Sequence, residues 1–364
     1  MKNIATANLA KLVLATSIAA LLTACGGGGG DTPANNTPAA PSTPQVQNPT
    51  DPYTGKDAGA PTVSVSGSVY NNATAGATVT AYLVNPDGSN GASLGTATTD
   101  ANGNWAMTLS QTTQGMVRFV ATGGTFKSEA DASTQTNGTL ELVAPYVTAT
   151  LSQFVITPVT NVASGYLTQL AGKQGKTLKD AYTTASSSAM SVVTGNNRIG
   201  GVANGHAGVD YLSIVPGSAQ DTLSAYADGL LAIEYYAIDH DLPSRVANRI
   251  LAQTFETGFP SQKRADGSAV NVGKWVLGVF DETTAFTVAD MGIGNPNTDV
   301  QAITQAKNAA DACASGDKAG YYQRYPLPTG QSDYLDSTAC TAYTNKITNI
   351  KAKTSSNKRN NPPA

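Results

Sequence analysis

The sequence predicts a multidomain α+β chain, with an N-terminal antiparallel β-sandwich followed by a mainly α-helical domain. Three observations carry this. From Thr62 to about residue 145, apolar residues recur at every second position between glycine- and asparagine-rich turns. Beyond Pro145 they recur at helical spacing. Ahead of both lies a stretch, 26–61, with no apolar periodicity at all.

The N-terminal segment comes first. Lys2 and Lys11 accompany a short apolar run, Leu12 to Leu22, and small residues follow. A basic start, a short apolar core and small residues describe a secretory signal peptide, residues 1–24. The run falls well short of the roughly 20 residues that span a bilayer as a helix. Leu22-Thr23-Ala24-Cys25 resembles the lipobox of bacterial lipoproteins. That resemblance implies cleavage before Cys25, lipid on its thiol and acylation of the new amino terminus. Gly26 after the cysteine, rather than Asp, resembles lipoproteins sent to the outer membrane. The expected partner is therefore outer-membrane lipid, with the periplasmic and surface faces both open.

Removing residues 1–24 takes away two lysines and no acid, leaving 20 Lys+Arg against 25 Asp+Glu. This acidic balance argues against nucleic acid, which requires clustered Lys and Arg. Charged residues are 13% of the chain, about half the usual share, so surface polarity rests on Ser, Thr, Asn and Gln. Of the three cysteines, Cys25 takes the lipid and leaves Cys313 and Cys340 as an even pair. An oxidising compartment favours a disulfide between them, worth about 3.5 kcal/mol on the chain-entropy model for a loop of this length. Zinc is the competing reading, and two cysteines with two distant histidines make a poor zinc set. No cofactor is expected.

Residues 25–61, Cys25 and the tether, hold five consecutive glycines and seven of the chain's 18 prolines. Glycine gives a swivel and proline gives extended stretches, so a coil of this length averages roughly 30–35 Å end to end.

The sandwich is expected over residues 62–148. Val63, Val65 and Val69 alternate with serines; Ala77, Val79, Ala81 and Leu83 alternate with Thr and Tyr. Trp105, Met107 and Leu109 repeat the pattern, as do Val117, Phe119 and Ala121, then Leu140 and Leu142. Turn signals punctuate them, and Asn102-Gly103 is a hairpin signal because both residues tolerate positive φ. Ser66-Gly67-Ser68-Val69, Ala75-Gly76-Ala77-Thr78-Val79 and Thr99-Asp100-Ala101-Asn102-Gly103-Asn104-Trp105 together resemble the carboxypeptidase-regulatory-like family. The resemblance implies a prealbumin-like, immunoglobulin-like sandwich with a spacer, partner-binding or carbohydrate-binding role and no catalytic residues. The run Asp100 to Asn104 is not an EF-hand loop, since Trp105 and Gln111 stand where Gly and a carboxylate are needed. It reads as a turn whose side chain bonds its own backbone.

The helical domain is expected over residues 149–352, with a disordered tail over 353–364. Thr157-Pro158 is an N-cap and first helical position. Val159, Val162, Ala163, Tyr166, Leu167 and Leu170 follow at helical spacing. Further helices are expected from Thr177 to Val193, after Ser218 through Tyr226, Leu230, Ile233 and Ala237, and from Pro243 through Phe255. Lys274 to Phe280 is a strand or buried segment. Helices from Thr298 to Cys313 and from Thr338 to Lys351 close the domain, both cysteines on apolar faces. The Thr157-Pro158-Val159-Thr160 start, with Tyr226-Ala227-Asp228-Gly229-Leu230, resembles the helical half of certain sandwich-bearing Gram-negative lipoproteins.

Chemistry is sparse. No nucleophile elbow and no paired-histidine zinc motif occurs. His206 sits in a glycine-rich stretch without a phosphate-cradle spacing. Asp239-His240-Asp241 reads as a polar helix end, because neighbouring residues on a helix point to different faces. Tyr321, Tyr322, Arg324, Tyr325 and Tyr334 gather inside the expected disulfide loop. Tyr and Arg give large contact area and hydrogen bonds for little entropy, so these five are the candidate ligand-binding set. The competing reading is that the rings pack over the helix pair. The expectation is a lipid-anchored, non-enzymatic binding or structural component of the Gram-negative envelope, with a protein or glycan ligand. The alternatives are an envelope glycan-acting enzyme using carboxylates such as Glu234, Asp239 or Asp241, and a periplasmic assembly or chaperone partner pairing through a sheet edge.

Overall fold

The computed structural model describes residues 64–109, 115–144, 153–194, 214–218, 225–256, 274–276, 279–281, 296–325 and 335–353. The signal segment, Cys25, the tether, His206, Tyr334 and the tail beyond Lys353 lie outside the described residues. The chain is α+β, with sheets in its N-terminal half and helices in its C-terminal half.

Among the described residues, nine strands come first: β1 (Ser64–Val69), β2 (Thr78–Val84), β3 (Asn90–Thr98), β4 (Asn104–Thr108), β5 (Val117–Thr122), β6 (Thr125–Lys127), β7 (Thr134–Thr136), β8 (Leu140–Ala144) and β9 (Phe154–Ile156). They form a sheet of order β4-β1-β9, a second of order β3-β2-β5-β8, and the small β6-β7 pair. Every pairing is antiparallel except β1 with β9, where Gly67, Ser68 and Val69 run alongside Phe154, Val155 and Ile156. The expected alternation is present: in β4, Trp105 and Met107 are buried while Asn104, Ala106 and Thr108 are exposed. Rings knit the two larger sheets together. Phe119 of β5 lies 5.1 Å from Trp105 of β4 and 5.0 Å from Phe154 of β9, centroid to centroid.

Four strands escape a period-two reading. In β3, Leu94 is the one large apolar residue among Asn, Gly, Ala, Ser and Thr, as suits a strand paired on one edge. β6 and β7 have three residues each, and each buries one side chain. β9 buries all three of Phe154, Val155 and Ile156, so it has no alternation to detect. It also lies on the helical side of the expected boundary at residue 148. Gly67 explains the fit of β9: a Cβ there would sit 2.0 Å from the Phe154 carbonyl oxygen. At the β3–β4 turn, Gly103 alone adopts positive φ. Asp100 Oδ1 accepts from the Asn102 and Asn104 amides, as the turn reading expects.

The helices are α1 (Pro158–Gln174), α2 (Leu178–Thr194), α3 (Ala225–Asp239) and α4 (Ser244–Glu256), then the strands β10 (Lys274–Val276) and β11 (Val279–Asp281). α5 (Pro296–Ser315), α6 (Lys318–Arg324) and α7 (Ser337–Lys353) follow. The segment expected at Lys274–Phe280 is thus two short antiparallel strands. α6 is an element the sequence reading did not anticipate; Asp317 caps it by accepting from the Gly320 amide.

Thr157 caps α1 as expected. Its hydroxyl accepts from the Thr160 amide, Thr160 returns a bond to the Thr157 amide, and Pro158 takes the first helical position. The end of α3 is equally local in origin. Leu242 N–H bonds the Ala237 carbonyl and Asp241 N–H bonds that of Ile238, with Asp241 at φ 54°. Those two bonds make a Schellman termination in which aspartate holds the left-handed position that glycine usually takes.

One buried cluster runs from the sheets into the helices, from Val65, Phe119 and Phe154 to Leu230, Tyr236, Ile250 and Ile303. α1 covers β8, and Leu167 and Leu170 pack with Val84, Met116 and Val143. Arg118 of β5 fastens the same contact, donating to the Gly88 carbonyl at 2.9 Å and to Thr168 Oγ1 at 2.6 Å, with Glu141 3.4 Å from its Nε. α3 packs against α2, α4, α5 and α7. That is why both its faces are buried, where the sequence shows one stripe. Cys313 and Cys340 form a disulfide that ties the end of α5 to the start of α7.

Candidate functional site

The tyrosines of the disulfide loop are placed by α6. Tyr321 and Tyr325 lie one helical turn apart, so their rings share a face; the centroids are 4.8 Å apart. Both are buried with Ala309 and Ala312 of α5 and with Leu335. Their hydroxyls are engaged by α5, Tyr321 by Gln305 at 3.3 Å and Tyr325 by Asn308 at 3.2 Å. Tyr322 is half-buried, and its hydroxyl accepts from the Leu335 amide at 3.2 Å. Tyr321 and Tyr325 are thus buried over the helices, the arrangement of the competing sequence reading. The Arg324 side chain and Tyr334 lie outside the described residues.

The acids singled out in the sequence do not converge. Glu234 and Asp239 are five residues apart on α3, which turns them to different sides. Glu234 is buried, and one of its oxygens, Oε2, accepts from Ser128 at 2.7 Å and from Ser244 at 2.8 Å. Ser128 belongs to the β6–β7 connection and Ser244 opens α4, so a single carboxyl group joins three parts of the chain. Gln135 of β7 adds a contact, its Oε1 accepting from the Ser244 amide at 3.4 Å. Nothing near Glu234 in sequence announces a partner 106 positions away.

A second carboxyl lies near this node. Glu129 receives a hydrogen bond from the Tyr70 hydroxyl at 3.3 Å. Partial desolvation raises its pKa above the ordinary glutamate value; the Tyr70 bond opposes this and the nearby Glu234 charge adds to it. The sequence reading missed this electrostatic link, because Glu129 comes near Glu234 only when the β6–β7 connection folds against α3.

A different cluster stands at the C-terminal end of α3. Asp239 Oδ1 is 2.6 Å from Lys353 of α7, His240 Nε2 is 3.7 Å from Asp299 in the first turn of α5, and the Tyr236 ring lies 4.6 Å from that of His240. Burial, then the Asp299 and Asp239 charges, push the Tyr236 phenol well above its usual range. A phenol so held keeps its proton and cannot serve as a base at neutral pH. Asp241 is exposed and spends its geometry on terminating α3. Lys307 of α5 lies between Asp228 of α3 at 3.1 Å and Asp311 at 2.6 Å. Burial works against its charge, and the two carboxylates outweigh that and raise its pKa.

The chemistry of these clusters is that of joints. Carboxyl groups receive hydroxyls or face ammonium groups across element boundaries, while the Tyr236 phenol is shifted away from reactivity. Among the described residues, no three His, Cys, Asp or Glu side chains gather as metal ligands. No protein-family model, curated protein or solved structure matches the chain.

Proposed function

We propose that this chain is a lipid-anchored component of the Gram-negative envelope. It would be held to the outer membrane by acylated Cys25 and spaced from it by the tether. Its folded part would be a non-enzymatic binding or structural module for a protein or glycan ligand. The observation that carries the reading is the Cys313–Cys340 bridge. It accounts for both cysteines of the folded part, as an oxidising compartment favours, and leaves Cys25 of the lipobox as the third.

The two larger sheets, with Phe119, Trp105 and Phe154 between them, are read as an immunoglobulin-like or prealbumin-like sandwich of the carboxypeptidase-regulatory-like kind. Such a module suits display rather than catalysis. We assign the ligand-binding role to Tyr322, Arg324 and Tyr334, since the Tyr321 and Tyr325 rings are buried against α5.

The test is processing in a Gram-negative host. Wild type should yield a fragment beginning at a triply acylated Cys25, and Cys25→Ala should accumulate as full-length precursor. A processed, lipid-labelled Cys25→Ala product would refute the anchor. Cross-linking in cells and a glycan array then address the ligand, with Arg324→Ala and Tyr334→Ala expected to lose binding without losing thermal stability.

A further inference from the structure

The lysines of the α1–α2 connection lie at the end of the fold where the chain enters it. Between Pro145 and Thr194 the sequence has four charged residues, Lys173, Lys176, Lys179 and Asp180, all within one helix–helix turn. Lys173 and Lys179 are exposed and Lys176 is half-buried.

Topology fixes where this turn sits. β1 starts at Ser64, the first described residue, and its far end at Val69 meets Gly103 and Thr74. β2 runs back from Thr78 to Val84, so the β2–β3 turn lies toward the Ser64 end of the sheets. β9 runs parallel to β1, so α1 starts beside Val69 and travels back about 25 Å over its length. Its last turn lands on the β2–β3 turn: a Cβ on Gly172 would lie 2.8 Å from the Asp87 carbonyl oxygen, and one on Gly88 would lie 2.8 Å from Thr168 Cα. The lysine turn therefore stands at the same end as Ser64. Among the described residues, Asp87 and Asp180 share that end. Asp87 bonds the amide and hydroxyl of Ser89, and Asp180 accepts from Thr177 in capping α2.

We propose that Lys173, Lys176 and Lys179 dock this end of the protein on the anionic phospholipid headgroups of the membrane that holds it. The proposal rests on the lipid anchor at Cys25. A protein whose overall charge is acidic is repelled by such a bilayer, so a local basic turn decides which face approaches. Each lysine near an anionic surface strengthens association about fivefold, and the effect fades within a Debye length. Three lysines are too weak to recruit a free protein, but a tether that already holds the domain at millimolar effective concentration makes them sufficient to orient it.

The test is neutron reflectometry on the lipidated full-length protein in supported bilayers. One bilayer is zwitterionic and one contains phosphatidylglycerol, with wild type compared against the triple variant Lys173→Glu, Lys176→Glu, Lys179→Glu. Wild type should lie against the headgroups on the anionic bilayer at low salt, and stand off on the zwitterionic bilayer and at high salt. The triple variant should stand off throughout. The neutral set Lys173→Gln, Lys176→Gln, Lys179→Gln, checked for native circular dichroism, should behave between the two. A layer that forms with one height for all proteins on both bilayers overturns the lysine contact alone. A chain that never anchors overturns the lipid tether and this proposal with it. Contact that needs lipopolysaccharide overturns phospholipid as the partner.

Discussion

The Ser128 hydroxyl donates to the Glu234 carboxyl at 2.7 Å, across 106 positions of sequence. Ser244 donates to the same oxygen at 2.8 Å. These two bonds hold the β6–β7 connection to α3 and α4, so the sheet half and the helical half meet on one side chain.

Ser128→Ala and Ser244→Ala should each cost about 1–3 kcal/mol, because each strips a buried acceptor of a partner. The double variant should depart from the sum of the singles, since both donors serve one oxygen. Urea unfolding of the four proteins checks this. Strict additivity would show that the node does not act as a unit.

Glu129 should make stability fall as pH rises. Its pKa is raised in the fold, so between the ordinary glutamate value and the raised one the folded state binds the proton more tightly. Folding is favoured at the acid side of that window, and the advantage disappears once Glu129 ionises in both states. Glu129→Gln should therefore match wild type in melting temperature near pH 3.5 and exceed it at neutral pH. A variant that loses stability as pH rises relative to wild type would reverse the assignment.

Gly67→Ala should unpair β9 from β1. The added methyl would meet the Phe154 carbonyl at 2.0 Å and the Trp105 ring at 2.7 Å, so backbone must move. A loss of several kcal/mol is expected, at the upper end of single-residue effects. Amide exchange at Val155 and Ile156 should accelerate with it. Unchanged exchange there would mean that β9 does not depend on the close approach at Gly67.

Asp241→Gly should stabilise the chain. Asp241 holds φ 54° in the termination of α3, a conformation that costs an L-residue about 1 kcal/mol and glycine little. A gain of about 0.5–1 kcal/mol in urea unfolding is expected. A loss would show that the carboxylate contributes something beyond the backbone bend.

Much of the secondary structure was legible because it is written in neighbouring residues. Thr157-Pro158 specifies a helix start, the period-two runs specify β1, β2, β4, β5 and β8, and the Asp100 turn closes on its own backbone. β3 was hidden by its small residues and β9 by its lack of alternation, since a strand buried on both sides carries no period. α6 was missed because seven residues offer too short a window for a stripe. The tyrosine stretch shows the limit for sites. Tyr321 and Tyr325 stand at the spacing of one face, but only the position of α5 determines that this face is covered.

The sequence by itself determined the capped helix starts and the period-two strands, and its cysteine number favoured the pairing of Cys313 with Cys340, because capping, periodicity and cysteine number act over short distances or by counting. Only the tertiary structure decided that β9 lies parallel to β1, that Ser128 and Ser244 share the Glu234 oxygen, and that the lysine turn stands at the Ser64 end. Those contacts join residues far apart in the chain. A buried carboxyl takes whichever donors the packed elements bring to it, and no local pattern encodes which they will be.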